Sequence, residues 1–216
     1  MSMLIVACGM FIESCGGGSG NVGKDIGKNE YLGNLPNLVY QHNLINDNRN
    51  AEKDAKLEKL NTGSKSDYEK AVKIAKKFDV RQEEDRKKFE AEVEKIKTEL
   101  MGKDIPYEVE EGLGYEVLSC KIVNVDDRVA VCTEFELKIT DAKLAKIKGY
   151  GEPDVYVVVQ EIDKDGNQIS DDGGLYVKLS GKTDGSTGKR ENYIYVSWKN
   201  AEQMVNFAKI KFVKEK

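Results

Sequence analysis

The sequence predicts an α+β layout, with an N-terminal antiparallel helical hairpin followed by an antiparallel β-sandwich. Three observations carry that expectation. Apolar residues recur at helical spacing on both sides of the polar stretch Asn61-Thr62-Gly63-Ser64, and helices joined by a short turn pack antiparallel. Beyond Ile105-Pro106 the period changes from helical to alternating, the pattern of half-buried strands. About seven strand-like segments then fill about 110 residues with little helical period between them, which argues for a sandwich.

The first helix opens at Leu35-Pro36, since proline is tolerated in a first turn. Over residues 37–60, Leu38, Val39, Ile45, Leu57 and Leu60 share one face, and so does the single histidine, His42, expected to be packed and hydrogen-bonded. The second helix opens on Ser66-Asp67-Tyr68-Glu69, a capping-box pattern. Tyr68, Val72, Ala75, Phe89, Val93, Ile96 and Leu100 follow at helical spacing until Gly102 stops the run. Asp79, Gln82 and Arg86 fall on the same stripe. The expected product is a thin hairpin with apolar ends and a polar middle, which serves as a spacer or packs along its own domain.

Strands are expected over 108–123, 129–139, 154–162, 175–179, 193–198 and 206–213. In the second of these, Val129, Val131, Phe135, Leu137 and Ile139 alternate with Glu134, Glu136 and Lys138. Asp165-Gly166 supplies a hairpin turn, and a glycine-rich loop is expected over 181–188. Trp198 is the natural large residue for the sandwich core.

Composition narrows the function classes. Charged residues make up 33% and hydrophobic residues 39% of the 216 residues, so much of the chain is solvated surface. A net charge of −4 gives no reason to expect a nucleic-acid partner, which needs a basic face. One histidine leaves no material for a histidine metal site or a Ser-His-Asp triad. The carboxylates lie in helical charge runs and turns, and no spacing singles out an acid–base pair. No enzyme activity and no cofactor are expected.

The N-terminal run Met3-Leu4-Ile5-Val6-Ala7-Cys8-Gly9-Met10-Phe11-Ile12 matches a signal-peptide apolar region and is too short to span a bilayer. Ser14 precedes Cys15, and Ile12 lies three places before it, which resembles the lipobox of bacterial lipoproteins; the resemblance implies Cys15 as the lipidation site. Cys8, preceded by Ile5-Val6-Ala7, is the second choice, because it leaves only about six apolar residues before the cut. Glu13 is unusual next to such a site. The lack of Lys or Arg ahead of the run puts the translation start in question. The resulting division is 1–14 signal peptide, 15–34 flexible tether, 35–102 helical hairpin and 105–216 β-sandwich.

A rival reading uses the same glycines. Gly18-Ser19-Gly20-Asn21-Val22-Gly23-Lys24 matches most of a phosphate-binding loop and would make the chain a cytosolic nucleotide-binding protein. Against it, Asp25 replaces the hydroxyl that would hold Mg²⁺. Gly27, Gly33 and Pro36 also interrupt the helix that should follow.

In its Ser14-Cys15-Gly16-Gly17-Gly18 stretch and in this layout, the chain resembles the uncharacterised lipoproteins of Bacteroides-type bacteria. Those carry a cysteine followed by glycines, a helical segment and a C-terminal immunoglobulin-like β-sandwich. The resemblance implies an outer-membrane lipoprotein, held to the membrane through its N-terminal lipid and acting as a binding or structural module. An envelope protein or a glycan is the expected partner. The acidic run that favours surface export in such bacteria is absent, so the periplasmic and cell-surface faces both stand.

Three constellations complete the reading. Asp163, Asp165 and Asn167, with Asp171, imitate positions of a Ca²⁺ loop, but Gln168 and Gly174 occupy the places of its required Gly and Glu; a hairpin turn accounts for the same residues. Cys120 and Cys132 flank a turn and are the candidate disulfide, although the alternation sets them on opposite faces unless a bulge shifts the register. Tyr176, Tyr193 and Tyr195, with Trp198, form a candidate aromatic platform for a glycan, against the reading that strand aromatics are cross-strand pairs.

Overall fold

The computed structural model describes residues 23–215 apart from 61–62, 127, 148–152 and 171–172. Two long helices come first: α1 spans Leu35–Leu57 and α2 spans Lys65–Leu100. Pro36 sits in the first turn of α1. The cap of α2 is Ser64 rather than Ser66. The extended backbone of Ser64 lets its hydroxyl accept from the Asp67 amide at 3.0 Å, which satisfies an amide the helix cannot. Gly102, at φ +80°, turns the chain away after α2.

The contacts between the helices descend along α2 as they climb α1. His42 stacks on Phe89 at 4.1 Å, Arg49 pairs with Asp85, Gln82 donates to Asn50 at 2.9 Å, and Lys53 meets Asp79 at 3.5 Å. Asp79 and Gln82 therefore face α1, whereas Arg86 bonds to Glu83 and Glu90 of its own helix. Phe78 is buried beneath Lys56 and Arg81, which lie 5.2 and 5.9 Å from its ring centre. Near the base, Leu35, Val39, Val93, Ile96 and Leu100 enter the same core as the strands.

The segment before α1 is also part of that body. The sequence ran the tether to residue 34, yet Asn29 and Leu32 are buried. Asn29 Nδ2 donates to the carbonyls of Val205 and Phe207, at 3.0 and 2.7 Å. Its Oδ1 accepts from the amides of Tyr31 and Leu32, both at 2.8 Å. A residue that reads as linker composition is thus a four-bonded clasp, its polarity fully used.

Seven strands follow: β1 Tyr107–Val109, β2 Tyr115–Val125, β3 Ala130–Ile139, β4 Asp154–Asp163, β5 Gly173–Lys178, β6 Thr187–Tyr195 and β7 Phe207–Val213, with a short α3, Ala201–Met204, before the last. They form two sheets, ordered β1-β7-β4-β5 and β2-β3-β6. Every pairing is antiparallel except β1 with β7. Phe135 of one sheet meets Phe212 of the other edge to face at 5.1 Å, so the sheets share a core, compatible with a β-sandwich. The strand order differs from the immunoglobulin arrangement, in which the first, second, fifth and fourth strands share a sheet.

Several boundaries differ from the sequence expectation. The run 108–123 is divided into β1 and β2 by a turn containing Gly112 and Gly114, both at positive φ. A Cβ on Gly114 would lie 2.4 Å from the Ala145 amide nitrogen, so only glycine fits there. β6 begins at Thr187, earlier than expected. Trp198 is not a core residue; it is 39% exposed and stacks on Tyr40 of α1 at 5.0 Å. Phe135, Phe207 and Phe212 fill the core instead. Among the described residues, no helix is long and apolar enough to cross a membrane.

Candidate groove between the edge strands β5 and β6

β5 and β6 are consecutive strands in different sheets, each at a sheet edge. At one end they touch. Leu179 bridges to Gly188, the Ser180 amide donates to the Thr187 carbonyl at 2.8 Å, and a Cβ on Gly188 would lie 2.4 Å from the Lys178 carbonyl oxygen. Glycine lets the two edges close there. Toward the start of β5 and the end of β6 the strands part, and a groove of about 440 Å³ opens. That is within the roughly 300–1,000 Å³ of small-molecule sites.

One wall comes from β4, the loop after it and the start of β5, with Val159, Glu161, Ser170 and Gly173; the other comes from β6 and the loop after it, with Asn192, Tyr193, Tyr195 and Asn200. Tyr193 and Tyr195 are i, i+2 neighbours on a strand, so they project on one face. Their rings stack at 6.2 Å and they are 40% and 51% exposed. Each is held in place. The Tyr193 hydroxyl donates to Glu191 at 3.0 Å, and this bond is the main reason its phenol is pushed up to about 12. Asn200 donates to the Tyr195 carbonyl at 3.0 Å and accepts from the Ser197 amide at 2.7 Å, which ties down the loop beneath.

Glu161 is the functional candidate that the sequence reading missed. Val155, Val157, Val159 and Glu161 alternate along β4 and all are buried, so the carboxylate occupies an inward position. β5 covers β4 only as far as the pairing of Val159 with Gly173, and Glu161 lies just past that point. Glu161 is 8% exposed. Its Oε2 has no hydrogen-bond partner among the described residues, and Ser170 serves the carboxylate from one side. Burial pushes the carboxyl up to about 7. Strict period-two counting from Val155 was the signal that could have found it.

The remaining candidates separate. Tyr176 lies on the outer side of β5 against Tyr156 at 5.0 Å and does not join the groove with Tyr193 and Tyr195. Asp163 Oδ1 accepts from the amides of Asp165 and Asn167, at 2.9 and 2.8 Å, and its Oδ2 accepts from the Asn167 side chain at 3.2 Å. These bonds close the hairpin turn at Gly166, and Asp171 lies outside the described residues. Cys120 and Cys132 are free thiols, a correction to the disulfide reading. The β2–β3 turn is centred later than expected, so Cys120 lies opposite Phe135 and Cys132 opposite Asn124. Register shifts after Val117 and Ile122 also explain why Leu118 is exposed while Cys120 and Ile122 are buried. Burial pushes the two thiols up to about 12 and 11, away from nucleophilic thiolates at neutral pH.

Cys15, Cys8 and most of the phosphate-loop stretch lie outside the described residues. The end of that stretch, Gly23 and Lys24, is irregular, and the next helix starts only at Leu35. A helix opening directly on the loop, which a phosphate cradle requires, does not follow Lys24. Comparison with known proteins finds no match to this chain among family models, characterised proteins or solved structures.

Proposed function

We propose that this chain is a lipid-anchored protein of the bacterial cell envelope whose two-sheet domain is a binding module, with the groove between β5 and β6 as its ligand site. The observation that carries the binding role is the pair of stacked, half-exposed tyrosines beside a buried carboxylate with an unused oxygen. A carboxylate held dry without a partner is costly, and a bound ligand would offset that cost.

The anchor rests on Ile12, Ser14 and Cys15 and on the resemblance to Bacteroides-type lipoproteins. A lipidated Cys15 carries several acyl chains, enough for stable attachment. In this reading α1 and α2 form a helical hairpin that holds the module off the outer membrane, and the module is immunoglobulin-like in its paired-sheet architecture but not in strand order. The test is expression of the full gene with Cys15→Ala. Acyl labelling and membrane fractionation should both fall to background. Label and membrane association that persist unchanged in the variant would refute Cys15 as the anchor.

A further inference from the structure

We propose that the groove between β5 and β6 takes a primary alkylammonium group, with Glu161 as its counter-ion and Tyr193 and Tyr195 as its walls. This rests on the reading of the groove as the ligand site and names the chemistry of what enters it.

Glu161 is the only group of full charge among the described lining residues, and no lysine or arginine lies among them. The influences that set its carboxyl are burial and the Ser170 hydroxyl, with no cationic side chain contributing. The site therefore lacks the positive charge that a buried carboxylate ordinarily has beside it. An anion would be repelled by the ionised carboxylate, and a neutral ligand would leave the carboxyl protonated rather than paired. Shape narrows the choice further. With Glu161 92% buried and its Oε2 covered, a ligand must displace part of that cover to reach it, which favours a slender chain over a sugar ring or a flat guanidinium. Aromatic faces attract cations, and Tyr193 and Tyr195 line the groove half exposed, from the face of β6 opposite the buried Ile194. Gly173, which has no side chain, keeps the opposite wall low; a Cβ there would already lie 3.2 Å from Val159 Cγ2.

Two sources share this chemistry, a lysine side chain presented by a polypeptide and a small free diamine. The titratable side chains lining the groove from β6 are Tyr193 and Tyr195. The described lining residues of β5 contribute none, and on β7 the residue opposite Glu161 is Ile210. Among the described residues, proton release on amine binding is thus assigned to Glu161.

The experiment uses the folded chain and calorimetry at low ionic strength with four probes: Nα-acetyl-lysine methylamide, 1,5-diaminopentane, butyrate and methyl glucoside. Saturable binding of one or both amines, weakened at least tenfold by Glu161→Gln and severalfold by Tyr193→Ala, is the expected result. At pH 7, buffers of different ionisation enthalpy should report release of about half a proton per amine bound. Preference for the lysine derivative points to a polypeptide source and preference for the diamine to a free one. Thermal melts show that each variant is folded. Amine binding unchanged in Glu161→Gln overturns the inference. Binding of methyl glucoside without amine binding overturns it too, but leaves the groove standing as the ligand site. No binding of any probe overturns both readings.

Discussion

The residue on which most depends is Glu161, and its burial has a thermodynamic consequence apart from any ligand. Its carboxyl is raised from 4.5 to about 7 by desolvation, so the folded chain holds a proton that the unfolded chain would release. The stabilising contribution is fully present below about 4.5 and is lost as pH rises through about 7. The span corresponds to roughly 3 kcal/mol. Glu161→Gln keeps the shape and removes the charge. It should stabilise the protein by about 2–3 kcal/mol at pH 8 and change it little at pH 4.5, as read by urea denaturation at the two values. Equal effects at both pH values would mean that the carboxylate is not buried as described. Glu161 was legible in the sequence, since it continues the Val155, Val157, Val159 alternation. Tyr193 and Tyr195 were legible as a pair because the period of a strand is two. Tyr176 was wrongly joined to them, because no periodicity tells which sheet, or which side of it, a separate strand will use.

At the scale of the element, the helices divide into an embedded base and a solvated far end. Leu100 is fully buried in the core shared with the strands, whereas Tyr68 near the other end of α2 is 67% exposed. Leu100→Ala should cost about 2–5 kcal/mol, and Tyr68→Ala within about 0.5 kcal/mol, measured by denaturant unfolding. Similar losses at both positions would contradict this division. The helices themselves were readable from their period, and so were β3, β4 and β7 from theirs. The bulges in β2 were not, because pairing register is decided by the turn at residues 126–129 and by the partner strand rather than by local pattern. That is why the disulfide expectation failed: Cys120 and Cys132 needed a turn centred on Asp126, and the register sets Val125 opposite Val131 instead.

At the scale of the whole molecule, the two sheets join at one end of the β5–β6 pair and separate at the other, and the separation creates the groove. Glycines set both ends: Gly188 allows the close approach, and Gly173 starts β5 without a side chain over Val159. The N-terminal segment, α1 and α3 dock together on the same body, with Asn29 clasping the chain on both sides of Asn206 and Trp198 lying on Tyr40. That docking was not accessible from the sequence, since it depends on contacts between residues more than a hundred positions apart. The central claim is that the opening between β5 and β6 is where a ligand binds. The most direct measurement is backbone amide NMR of the folded chain during titration with Nα-acetyl-lysine methylamide and, separately, with methyl glucoside. The account predicts shift changes concentrated at Val159, Glu161, Gly173, Asn192, Tyr193 and Tyr195. Changes confined to the outer face around Tyr156 and Tyr176, or no saturable change with either probe, would contradict it.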